Sequence, residues 1–77
     1  MRIVGIGLII YGGERTTLDR CVAAAAVVDR MNALRLGKSP FTDFCWQGMA
    51  NALDAMGFIV RTDNDKVVAL DWNGDPE

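Results

Sequence analysis

The chain opens on a nearly unbroken apolar run, Ile3–Tyr11, rich in β-branched residues and closed by Gly12-Gly13. Such a run predicts a strand buried on at least one face. Alternation sets Val4, Ile6, Leu8 and Ile10 on one side and Ile3, Gly5, Gly7, Ile9 and Tyr11 on the other. Glycine inside a strand marks a place where something else comes close. Gly5 and Gly7 therefore predict a helix or a second subunit lying tightly on that face.

After the glycines the period changes from two to 3.6. Thr16 is the expected N-cap, Asp19 suits the first turn, and the helix is expected to reach about Leu36 before Gly37 stops it. Leu18, Cys21, Val22, Ala25 and Val28 share one side, and Ala24, Val27, Met31 and Leu34 widen the apolar sector, which predicts burial on two sides. A second helix starts either at Ser39-Pro40, as N-cap and first helical position, or at Thr42 with Phe41 and Trp46 as a hydrophobic staple. Its stripe is Phe41, Phe44, Cys45, Met49, Ala52, Leu53 and Met56, and Gly57 ends it, with Phe58 expected against Leu53.

The last pattern is a hairpin, Phe58–Thr62 and Lys66–Trp72, around Asp63-Asn64-Asp65. A three-residue loop pairs Thr62 with Lys66 and Val60 with Val68 and gathers Phe58, Val60, Val68, Leu70 and Trp72 on one face. Arg61, Val67, Ala69 and Asp71 then share the other. A two-residue loop at Asn64-Asp65 would scatter the apolar residues over both faces. The expected fold is α+β in the order β-α-α-β-β, one compact domain over residues 1–77 with a frayed polar tail at 73–77. Two helices cover one face of a three-stranded, mainly antiparallel sheet, with the first strand at its centre.

Composition changes this picture in two ways. Of 77 residues, 51% are apolar, more than so small a surface accommodates without help, since cores of this size supply only about 3–5 kcal/mol. A homodimer is expected, with Val27, Met31 and Leu34 of the first helix at its interface. Two cysteines and no histidine leave no common metal ligand or general base. Cys21 and Cys45 read as reduced core thiols, with one disulfide between the helices as the alternative. The opening run is shorter than a bilayer requires, and its flank is no cleavage site, so a cytoplasmic protein is expected.

The chemistry motifs are weak. Gly5-Ile6-Gly7 lacks the third glycine and the turn into a helix that a dinucleotide fingerprint needs. Gly12-Gly13 before Thr16-Thr17 lacks a P-loop lysine. Asp63-Asn64-Asp65 begins like a calcium loop but has Val68 where glycine belongs and no closing glutamate. No cofactor or metal is expected, and no enzyme. The basic residues of the first helix are interrupted by acids, so no direct binding of nucleic acid is expected either.

Charge is segregated along the chain. Residues 43–77 hold seven acids and two bases, whereas residues 1–42 hold three acids and six bases. A hairpin carrying Asp63, Asp65 and Asp71, followed by Asp75 and Glu77, is the expected partner-binding surface, presenting carboxylates to a basic groove. As one compact acidic domain beginning at Met1, with no catalytic motif and an acidic hairpin around Asp63-Asn64-Asp65, the chain resembles the small phage-encoded anti-CRISPR proteins. That resemblance implies a protein inhibitor, a DNA mimic in effect, that binds a type I CRISPR surveillance complex in the host cytoplasm and blocks target-DNA or PAM recognition. The family has no diagnostic motif, so no site residue is transferred from it. The alternative is an interaction subunit, such as an antitoxin or adaptor, that uses the apolar first helix and not the acidic hairpin.

Overall fold

The computed structural model describes residues 1–5, 7–34 and 37–74. Its elements are β1 (Arg2–Val4), β2 (Leu8–Tyr11), a 3-10 turn at Gly13–Arg15, α1 (Leu18–Ala33), α2 (Pro40–Ala55), β3 (Phe58–Asp63) and β4 (Lys66–Trp72). The α+β class and both helices are as expected. The sheet is not three-stranded: it has four strands in the order β1-β2-β4-β3, mixed in sense, with β2 parallel to β4.

The extra strand comes from the opening run, which is a hairpin and not one strand. Val4 pairs with Leu8, and the chain reverses between them. Gly5 and Gly7 have φ of 62° and 92°, and among the described residues beyond their chain neighbours no atom lies within 4 Å of where a Cβ would stand on either. They serve the turn through left-handed backbone, not close packing. Half of the expected first strand, β2, does reach the centre, beside β4, while β1 forms an edge. The expected side of Ile6 falls outside the described residues.

The β3–β4 hairpin also corrects the expected register. Asp63 pairs with Lys66 across a two-residue loop, Asn64-Asp65, whose φ angles of 51° and 64° are what a type I′ turn demands. Thr62 then faces Val67, but Arg61 faces Ala69, so one extra residue, Val68, is inserted in β4. This bulge reverses the alternation. Val67, Leu70 and Trp72 become buried while Val68 is 50% exposed, so the scattering that a tight loop threatened does not occur.

Both helices lie on one face of the sheet. The core joins Cys21, Ala24, Val28 and Met31 of α1 and Leu53 of α2 to Val4, Ile10, Phe58, Val67, Leu70 and Trp72. Thr17, not Thr16, caps α1, its hydroxyl accepting from the Arg20 amide at 3.1 Å, and α1 ends at Ala33 with Leu34 as its cap. The expected end of this helix, at Arg35-Leu36, lies outside the described residues. Ser39 caps α2 by accepting from the Thr42 amide at 3.1 Å, with Pro40 leading the helix. Burial of α1 is one-sided: Leu18 and Val22 are each 53% exposed. Gly57, at φ 98°, turns the chain out of α2 with a Cβ position only 2.6 Å from the Trp72 ring, which packs edge-on against Phe58.

One side chain completes the sheet where backbone does not. β2 pairs with β4 only from Ile9 to Tyr11. Lower on β4, Asn32 of α1 takes a strand's place, accepting from the Val67 amide at 2.8 Å and donating to the Val67 carbonyl at 3.0 Å. Asn32→Ala would orphan both backbone groups of a buried residue. We expect a loss of about 1–3 kcal/mol, read as a fall in the urea midpoint with an unchanged slope. Asn32→Asp, which keeps the acceptor but places a carboxylate against the carbonyl, should not rescue it.

Candidate functional site

With both helices on one side, the other face of the sheet is open. Register places Ile3, Ile9, Ala69 and Arg61 in one row across it and Tyr11, Asp71 and Ile59 in the next. Ile3, Tyr11 and Ile59 are 59%, 39% and 46% exposed. An open antiparallel face is ordinarily polar. Here it is mainly apolar, which is how surfaces that meet another protein are built.

A charged cluster sits within this apolar face. The Arg61 guanidinium reaches across β4, with Nε and Nη2 donating to Asp71 Oδ2 at 2.5 Å and Oδ1 at 2.8 Å. The same guanidinium lies over the Tyr11 ring, 4.4 Å from its centroid. The two-pronged pairing uses the fixed fork of arginine, and the ring below orients it. These hydrogen bonds from Arg61 hold the Asp71 carboxyl below its ordinary range, against a smaller opposing effect of burial.

The expected acidic set is therefore divided. Asp63 and Asp65 are exposed at the tip of the β3–β4 hairpin. Asp71 is not a free carboxylate, because Arg61 neutralises it. Asp75 and Glu77 lie outside the described residues. The charge segregation of the sequence is also not carried into space as two separate halves. β2, from the basic half, pairs with β4 of the acidic half, and Arg20 of α1 lies 5.5 Å from the Trp72 ring centroid.

The expected dimer face is placed differently too. Met31 is fully enclosed in the chain's own core, Val27 packs partly against that core, and Leu34 is half-buried at the helix cap. Met31 therefore cannot present its side chain to a second copy of this monomer. The exposed apolar helix surface is on α2, where Phe41 and Phe44 are 75% and 77% exposed. The core takes Trp46, Met49, Ala50 and Met56 instead. Hydrophobicity alone missed this division, but the helical angle carried a signal. Phe41 and Phe44 lie more than about 120° around the helix from Leu53, too far to share its burial.

Among the described residues no three carboxylate, thiol or imidazole groups gather where they could hold a metal ion. Among the same residues no helix is long and apolar enough to cross a membrane. Both cysteines are free: Cys45 is half-buried, whereas Cys21 is fully buried with Sγ 3.6 Å from the Gly13 carbonyl. Burial pushes the Cys21 thiol up, and the charge of Arg2 only partly offsets it. No protein-family model matches the chain, nor does any curated protein or solved structure.

Two outcomes follow from these geometries. In the folded protein a thiol reagent should modify Cys45 quickly and Cys21 only at the rate of opening, so single-site labelling followed by mass spectrometry should give one fast adduct. Equal rates at both sulfurs would contradict the burial of Cys21. For the ion pair, a depressed folded pKa at Asp71 means stability that is present above the unfolded carboxylate value of about 3.9 and lost as pH falls through the lower folded one. Asp71→Asn should thus be less stable than the parent at pH 7. The gap in denaturation midpoints should close once the pH falls below that range.

Proposed function

We propose that the chain is a non-enzymatic inhibitor of the anti-CRISPR kind. It binds a type I CRISPR surveillance complex and obstructs the recognition of target DNA or its PAM. The observation that carries this reading is the joining of two surfaces: the uncovered apolar face of β3–β4 runs into a type I′ tip bearing the exposed Asp63 and Asp65. On this reading the face supplies the area buried against the partner. The tip carboxylates engage lysines and arginines that would otherwise hold phosphates, and they speed association at low salt.

This division of labour differs from a wholly acidic decoy, because Asp71 contributes orientation through Arg61 and not free charge. The experiment is capture from lysates that contain type I complexes, using the tagged chain and two variants. Asp63→Asn with Asp65→Asn should slow association and weaken its salt dependence. Ile59→Lys, on the exposed face, should abolish retention while leaving the fold intact. Retention of surveillance-complex subunits by both variants would overturn the proposal.

A second reading has its own observation, the exposed Phe41 and Phe44 on α2. It is the interaction subunit, an antitoxin or adaptor, with its apolar helix moved from α1 to α2. Loss of every captured protein in Phe44→Asp, with normal capture by the Ile59 variant, would select it.

A further inference from the structure

The outward side of α2 is patterned, not merely apolar. Phe41, Phe44, Gly48, Ala52 and Ala55 are all exposed, and at 100° per residue they fall within one sector of about 80°. Leu53, Trp46 and Met49 occupy the side that faces the core, so the exposed stripe is not a spill-over from burial. Its large residues lie at the start of the helix, its small ones at the end, and a glycine lies between them.

Gly48 stands out in this stripe. A glycine in the middle of a helix is about 0.8–1.0 kcal/mol worse than alanine, and such a residue normally admits a close neighbour. Here, among the described residues, no atom other than those of its chain neighbours and its own helix backbone lies within 4 Å of where its Cβ would be. Nothing inside the chain accounts for the missing side chain. The stripe is also symmetric about it in sequence, with Phe44 and Ala52 four residues to either side and Phe41 and Ala55 seven.

We infer that the chain forms a homodimer through antiparallel packing of α2 on α2 of a second copy, with the two-fold axis at Gly48. In that arrangement each Phe44 faces the other copy's Ala52 and each Phe41 faces its Ala55. Large side chains thus fill the space above small ones, and the bare backbones meet at the axis, at the close end of the usual 8–10 Å helix separation. A heterologous partner would have no reason to require this mirror pattern, whereas an isologous interface must be self-complementary. Charge agrees: Lys38, exposed just before one helix, comes beside the carboxyl end of the other, near the exposed Asp54. The area is adequate as well. Four rings, each about three-quarters exposed, bring roughly 600 Å² of apolar surface, half of the ~1,200 Å² at which specific interfaces begin. Ala52, Ala55 and the helix flanks supply the remainder.

The test is sedimentation equilibrium of the full chain from one to several hundred micromolar. The parent should approach twice its 8.4 kDa mass. Phe44→Asp, an exposed position whose replacement leaves the core untouched, should raise the dissociation constant at least about thirtyfold, as loss of a hot-spot residue does. Ile59→Lys, on the open sheet face, should leave it unchanged. Orientation is read by cysteine substitution in a Cys45→Ser background: Gly48→Cys should oxidise to a covalent dimer, whereas Ala55→Cys alone should not. A parent that stays monomeric throughout would overturn the inference. So would a dimer that survives Phe44→Asp, or preferential cross-linking through Ala55→Cys. Because capture by Ile59→Lys reads the sheet face and sedimentation reads α2, either proposal can fail without the other.

Discussion

A sheet has two faces, and two sixteen-residue helices can cover only one of them; the architecture follows from that shortage. Among the described residues every fully buried large side chain, from Ile10 and Leu70 in the central strands to Met31 and Leu53 in the helices, lies in the single layer between helices and sheet. Side chains beyond that layer must be polar, be tied down locally, or meet another molecule. The Arg61–Asp71–Tyr11 cluster is the local solution on the far face, covering apolar surface with the stem and plane of an arginine. Among the described residues, Ile3 and Ile59 have no such cover.

The same shortage explains the devices that keep the thin layer in register. The bulge at Val68 lets a tight turn coexist with a continuous buried face. Asn32 supplies amide hydrogen bonds where the N-terminal hairpin has already peeled away from β4. Gly57 lets Trp72 lie against the end of α2 and close the layer at that end. In a larger domain a misplaced residue can be absorbed by neighbouring packing. Here each device acts on a layer with little to spare.

Local chemistry was the legible part of this sequence. A start for the second helix at one of two neighbouring signals, Ser39-Pro40 or Thr42, its stop at Gly57 and the hairpin across Phe58–Trp72 all rest on residues within a few positions of one another. What stayed hidden had a non-local or cancelling cause. A chain reversal between Val4 and Leu8, both apolar, looks in sequence like the interior of a strand. A bulge cannot be read from alternation, because it is the place where alternation fails. The parallel pairing of β2 with β4 has no local signature at all. At the candidate site, Asp63 and Asp65 were legible because turn residues are exposed whatever the register, but the capture of Asp71 by Arg61 depends on that register. Phe41 and Phe44 were misplaced because hydrophobicity does not tell a core-facing residue from an outward one when both recur at three and four.

The β2–β4 pairing also has a consequence for how the molecule is made. Ile9 lies beside Ala69, so the centre of the sheet joins segments far apart in sequence, and closing that loop is entropically costly. During synthesis the helices and the N-terminal hairpin can form while the central slot beside β2 stands empty. Only once β4 has itself been synthesised can it enter that slot. Until then the apolar edge of β2 is open to any other strand, including one from a neighbouring nascent chain.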